Sequence, residues 1–276
     1  MTNNTRKFAV IGNPVAHSLS PQMHNAWIAD HGLDALYERI HIDGDDAAFA
    51  DFIASADLAG ANVTVPFKAA AWRAATQKRA DEEVANVLTW LPGGALRADN
   101  TDGLGFIAAL DEAAPGWAAR KVLMIGAGGA AAGVARALAQ TPRVITLVNR
   151  TRARAEELAA SLSSPSEICV APWEALGDQF ATADLIVQTT TLGMGANESP
   201  AWPVARCKPG AIVVDIVYKP LRTPLLQAAA ARGLTAVDGL GMLIHQGALA
   251  FEIWFGIKPD TKKARARLIE LLGERA

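Results

Sequence analysis

The chain has 276 residues, 51% of them apolar, enough to bury two cores of ordinary domain size. Its 26 Lys and Arg against 28 Asp and Glu leave a formal charge of −2, which removes any general electrostatic reason for binding nucleic acid or an anionic membrane and makes a small molecule the expected partner. The only cysteines, Cys169 and Cys207, have no metal-like spacing and read as buried free thiols. Met1 to Lys7 is polar and no membrane-length apolar run follows, so a cytoplasmic protein is expected.

Short β-rich runs alternate with helical patterns from the start: Phe8 to Ile11, then Pro21 to Asp30, Leu36 to Ile42, Ala47 to Ala56 and Asn62 to Val65. Such alternation predicts a mainly parallel α/β sheet. A polar turn at Asp99 to Gly103 precedes a helix near Leu104 to Ala113, and the Pro115-Gly116 break opens a second α/β series. There a strand at Lys121 to Ile125, a helix from Gly129 to Gln140, a strand at Val144 to Val148 and a helix from Thr151 to Leu162 make a βαβα unit. Buried strands are expected at Leu185 to Gln188, Ile212 to Ile216 and Thr235 to Val237, with helices at Met242 to Phe255 and Thr261 to Leu272. The fold class is thus α/β in two domains separated by a cleft. Residues 1–102, completed by 238–276, are expected to form a substrate-binding domain, and residues 103–237 a Rossmann-type nucleotide-binding domain.

Gly126-Ala127-Gly128-Gly129-Ala130-Ala131 follows an apolar strand and opens a helix, which is the GxGxxA dinucleotide fingerprint in its expected context. The first glycine permits the tight turn, the second lets backbone approach a pyrophosphate, and the helix start offers N–H donors. An Ala/Gly-rich helix start without a ligand is the alternative. An NAD enzyme usually carries Asp or Glu at the end of the next strand; here stand Asn149, Arg150 and Thr151, with Arg152 and Arg154 beyond. Guanidinium groups suit a 2′-phosphate, so NADP is the expected cofactor, Arg152 reading instead as part of a solvated helix start.

Polar groups concentrate in segments flanking that unit. Ser18 and Ser20 lie on one side of a locally extended chain and suit a carboxylate, although Ser20 before Pro21 also reads as a helix N-cap. Asn62 and Thr64 alternate along a strand ended by Pro66, before a helix that carries Lys68, and Asp102 sits in the polar turn at the domain crossing. Spacing alone does not join Lys68 to Asp102. His17, His24, His31, His41 and His245 have no metal-ligand spacing, and no metal is expected.

GNPVAHSLSP, ANVTVPFK, DNTDG, GAGGAA, NRT, DIVYKP and DGLGML with Gln246 occur in the order found in shikimate dehydrogenases, and the chain resembles that family over nearly its whole length. The resemblance implies NADP-dependent reduction of 3-dehydroshikimate to shikimate in aromatic amino-acid (chorismate) biosynthesis, by a monomer or homodimer. It implies Lys68 as catalytic acid/base with Asp102 as partner. Ser18, Ser20 and Tyr218 would hold the substrate carboxylate, and Asn62, Thr64, Asn86, Asp102 and Gln246 the ring hydroxyls. The resemblance further implies cofactor contacts from Gly126, Ala127, Gly128, Gly129 and Ala130, from Asn149, Arg150, Thr151 and Arg154, and from Gly239 and Met242 in a loop beside the nicotinamide. Val87, Gln188 and Ala132 depart from the family pattern, where Thr, Asn and Arg are frequent.

Overall fold

The computed structural model describes residues 5–79, 83–195 and 197–273. The chain forms two compact units, residues 1–102 with 246–276, and residues 103–245. Residues 238–245, expected with the first domain, therefore fold with the second unit.

The first unit begins with β1 (Arg6–Gly12), α1 (Ser20–Asp30), β2 (Ala35–His41), α2 (Asp46–Ser55), β3 (Gly60–Val63) and α3 (Lys68–Ala74). It continues through β4 (Gln77–Lys78), β5 (Val87–Trp90) and β6 (Leu96–Asp99). Its 6-stranded sheet has the order β2-β1-β3-β5-β6-β4, with β5 antiparallel to both neighbours and the remaining pairs parallel. Successive side chains of a strand face opposite ways. Ala9, Ile11, Ala61 and Val63 pack one face against Phe49, Ile53 and Phe67, while Phe8 on the other face meets Trp254 and Phe255. Asn62, flanked by the apolar Ala61 and Val63, thus points to the aromatic side.

Helix α4 (Asp102–Ala113) opens the second unit, its first residue Asp102 still belonging to the first, and β7 (Lys121–Ile125), α5 (Gly129–Ala139), β8 (Val144–Val148), α6 (Arg152–Ser161) and β9 (Glu167–Ala171) follow. There follow α7 (Leu176–Thr182), β10 (Leu185–Gln188), β11 (Ile212–Asp215), α8 (Pro224–Ala231) and β12 (Thr235–Val237). Helix α9 (Gly239–Phe255) carries the chain back to the first unit, where α10 (Thr261–Leu272) follows it. The segment Gly239 to Leu243, expected as a loop, is the start of α9. Every pair in the second 6-stranded sheet, β12-β11-β10-β7-β8-β9, is parallel. Separate apolar clusters cover its faces, one built on Val122, Met124 and Leu147, the other on Leu123, Ile125 and Ile186. That double covering is why its strands read as unbroken apolar runs. Cys207 is buried as expected, whereas Cys169 in β9 is only half-buried.

Candidate active site

In the first unit, the ends of β3, β5 and β6 bring polar side chains together. β5 runs antiparallel to β3, with Val87 paired to Asn62, so its start lies beside the end of β3. Asn86 just before β5, and Thr101 and Asp102 just after β6, consequently meet at the sheet end that carries Asn62. Lys68, the first residue of α3, forms an ion pair with Asp102 Oδ2, and the two side chains are 12% and 7% exposed. Asn86 Nδ2 donates to the other carboxylate oxygen, Asp102 Oδ1, at 2.9 Å. Both oxygens of the carboxylate are thereby fixed, as a buried charge requires.

Asn86 is the hub of this network. Its Oδ1 accepts from the Thr101 N–H at 2.7 Å, and its Nδ2 lies 3.0 Å from Thr101 Oγ1 and 3.1 Å from Gln246 Oε1. Thr101 Oγ1 donates to the Gln246 carbonyl at 3.0 Å, tying this turn to α9. Two amide hydrogens thus face three acceptors, so the acceptors of Asp102, Gln246 and Thr101 share donors.

Ser18 and Ser20 stand with their hydroxyl oxygens 3.2 Å apart. The expectation of Ser20 as a helix N-cap is not met: Leu19 is the cap residue, Ser20 is already the first helical residue, and it is the Ser18 Oγ that accepts from the Ser20 N–H at 3.3 Å. Arg39 holds this loop from β2, donating through Nε and Nη2 to the Ser18 carbonyl at 3.1 and 2.6 Å. Gly12 explains the approach of β1 to Thr64, because a Cβ there would lie 2.3 Å from Thr64 Cγ2. Tyr218 is half-buried in the second unit, after β11.

Sequence reasoning passed over Thr101, Arg39 and Tyr37, whose hydroxyl donates to Asn62 Oδ1 at 2.6 Å. Thr101 lay within a motif already singled out. Tyr37 and Arg39 gave no local signal, since a tyrosine and an arginine two apart in a strand are ordinary.

The second unit has its own site. Gly126 leaves β7 with φ at +117°, a conformation that suits glycine, and an added Cβ would meet Thr189 Oγ1 at 2.4 Å. Gly128 borders open space, with nothing within 4 Å of an added Cβ. Helix α5 has no side-chain cap at its start, so its first N–H groups remain available to a phosphate. Ala131 is fully buried against the sheet, which is the close helix–strand packing that the small third position serves. The turn lies at β7 next to β10, where the strand order reverses, and this is the crevice in which such sheets bind dinucleotides.

Beyond β8, Asn149 Nδ2 donates to the Thr151 carbonyl at 2.8 Å and shapes the turn. Arg152 is tied to Glu156 at 2.7 Å, whereas Arg150 and Arg154 are exposed and form no ion pair among the described residues. The guanidiniums left uncommitted are thus the pair expected at a 2′-phosphate, and the residues present fit NADP. Gly239 and Met242 lie in the first turn of α9, with Met242 in the apolar core of the unit.

A doubly wound nucleotide unit joined to a second α/β unit carrying a buried lysine–carboxylate pair defines the class: an α/β oxidoreductase that uses a nicotinamide dinucleotide. Residues 10–87 match the shikimate dehydrogenase substrate binding domain, residues 109–216 the shikimate / quinate 5-dehydrogenase domain, and residues 239–269 the shikimate 5′-dehydrogenase C-terminal domain. The chain belongs to the shikimate dehydrogenase family. It is 45% identical to a shikimate dehydrogenase (NADP(+)) of Mesorhizobium japonicum, with 98% of each chain covered. The Thermus thermophilus shikimate 5-dehydrogenase solved with NADP(H) and shikimate is similar at 33% identity and a TM-score of 0.84, with 95% of this chain and 99% of that one covered. A quinate dehydrogenase of Corynebacterium glutamicum in complex with NAD is similar at 28% identity and a TM-score of 0.87, covering 96% of this chain and 99% of that one.

Proposed function

We propose that this chain catalyses the reversible NADP-dependent reduction of 3-dehydroshikimate to shikimate, a step of aromatic amino-acid (chorismate) biosynthesis, with Lys68 as general acid/base and Asp102 as its partner. The observation that carries the reading is the buried Lys68–Asp102 pair set among neutral hydroxyl and amide groups, in a chain that also has a built dinucleotide turn. Bound NADPH would supply the hydride. The Lys68 ammonium gives a proton to the oxygen that gains negative charge as the ring ketone is reduced, and the neutral amine takes it back in the reverse direction. Asp102, pinned by Asn86, orients the lysine Nζ.

In this reading the hydroxyls of Ser18, Ser20 and Tyr218 hold the substrate carboxylate, and Asn62, Thr64, Asn86, Asp102 and Gln246 take the ring hydroxyls. The first unit is the substrate domain and the second the NADP domain. The backbone of Gly126 to Ala130 cradles the pyrophosphate, Asn149, Arg150, Thr151 and Arg154 surround the 2′-phosphate, and Gly239 and Met242 lie beside the nicotinamide. A cytoplasmic monomer or homodimer is part of the same reading; among the described residues no helix is long and apolar enough to cross a membrane.

The test is an assay of purified protein with shikimate and with quinate, each with NADP and with NAD. The expected result is a kcat/KM highest for shikimate with NADP. A preference for quinate with NAD would overturn the reading; the free Arg150 and Arg154 weigh against it, since an NAD site has no phosphate for them to bind.

A further inference from the structure

β2 is an edge strand, so one side of its backbone has no strand neighbour among the described residues. At Tyr37 the Asn25 side chain fills that place, its Oδ1 accepting from the Tyr37 N–H at 2.9 Å and its Nδ2 donating to the Tyr37 carbonyl at 2.8 Å. The Tyr37 ring lies flat on the His24 imidazole, centroids 4.2 Å apart and planes within 2°. Trp254 closes over both rings. At the far end of this clamp the Tyr37 hydroxyl donates to Asn62 Oδ1 at 2.6 Å. This phenol thereby braces a side chain assigned to the substrate ring.

The direction of the protons follows from burial. The phenol is pushed well above its ordinary range, so the hydroxyl keeps its proton, and the His24 imidazole beneath it is pushed down to about 3 and is neutral. The Tyr37 proton commits Asn62 Oδ1. Asn62 Nδ2 gives one hydrogen to the Asn86 carbonyl at 3.2 Å, which leaves its second hydrogen as what this amide can offer a ligand. Without the phenol, only the Asn86 carbonyl opposes the flipped amide, which would present an acceptor to a ligand instead.

We propose that Tyr37 is a positioning residue that holds Asn62 as a hydrogen-bond donor, so that the site selects ligand groups presenting lone pairs to Asn62. Tyr37 is 2% exposed and acts through Asn62. The inference rests on the reading above in which Asn62 holds the substrate.

Steady-state kinetics of Tyr37→Phe, Asn62→Ala and the double variant test it, since phenylalanine keeps the ring and its stacking. For Tyr37→Phe, KM for shikimate rises about five- to thirtyfold, while kcat stays within about threefold and KM for NADP is unchanged. In the Asn62→Ala background the same change costs distinctly less, because the bond to Asn62 is already gone. An unchanged shikimate KM in Tyr37→Phe, or fully multiplicative effects in the double variant, overturns the inference and leaves the substrate assignment standing. An unchanged KM in Asn62→Ala removes both. Should Tyr37→Phe not fold, the native sequence serves: Tyr37 and Tyr218 are its only tyrosines, so 3-fluorotyrosine labelling gives two fluorine resonances, assigned with Tyr218→Phe. Shikimate moves the Tyr37 resonance; a resonance that stays in place under saturating shikimate overturns the proposal.

Discussion

Asn86 holds Asp102 Oδ1 at 2.9 Å while Lys68 takes the opposite oxygen, so a neutral amide and an ammonium grip one carboxylate from two sides. Removing the lysine leaves the carboxylate with its amide partner and leaves the hydroxyl-bearing residues where they are. Lys68→Ala is therefore expected to lower kcat about 10²- to 10⁴-fold with a smaller change in KM for shikimate. Stopped assays together with circular dichroism check this; a folded variant with near-normal kcat would remove Lys68 from the chemistry.

Arg150 and Arg154 are expected to select the cofactor. Replacing both by alanine removes charge-assisted hydrogen bonds worth about 1.5–3 kcal/mol, so KM for NADP rises about ten- to hundredfold while KM for NAD barely moves. Arg152→Ala is the control, because its guanidinium is already paired with Glu156. Equal use of NAD and NADP by the unaltered enzyme would defeat the assignment.

His24 predicts acid lability. Burial without a partner for either ring nitrogen pushes it from 6.5 down to about 3, so the unfolded chain takes up a proton first as pH falls. Stability is full above pH 6.5 and is lost from there down to about 3, at roughly 1.4 kcal/mol per pH unit. His24→Phe abolishes this slope. Urea midpoints between pH 4.5 and 7.5 should fall less steeply in the variant, and identical slopes would disprove the point.

Asp215 should act with the opposite sign. Burial raises it from 3.8 to about 6, against the hydrogen bonds from Thr223, Val217 and Gln188. The folded protein therefore holds this proton more firmly, and the contribution is full below pH 3.8 and is lost as pH rises through about 6. Its size is roughly 3 kcal/mol for a carboxyl displaced this far. Asp215→Asn, measured against the unaltered protein by urea unfolding, should gain in relative stability between pH 4 and 7 and level off above; a constant difference across that range would refute it.

The nucleotide unit was legible because its cues are local. An apolar strand, a glycine turn and an alanine-rich helix follow one another within a short stretch at Gly126, and a strand buried on both faces needs no alternation to be recognised. β5 and β6 were missed: each has four residues, and their register of Val87 with Asp99 and Trp90 with Leu96 comes from pairing that the strands' own sequences do not announce. The residue types of the site were legible from the ordered motifs, but their contacts were not. Lys68 and Asp102 are 34 residues apart, and Asn86 and Gln246 are 160 apart. The Ser20 reading failed for a related reason: a serine before proline satisfies the cap pattern, yet the helix starts one residue sooner, with Leu19 at the cap position.

Because β5 runs against its neighbours, the two ends of the β5–β6 hairpin meet different surroundings. One end adjoins Asn86 and Asp102; the other closes through a turn at residues 91–95, where the Leu91 N–H donates to the Ala95 carbonyl at 2.8 Å and residues 92–94 are exposed. Extra sequence grafted at that tip lengthens a surface loop at small entropic cost and enters at the far end of both strands from the catalytic pair. A fluorophore, an affinity tag or a whole guest domain placed there is thus a handle by which the enzyme can be immobilised or tracked while it turns over.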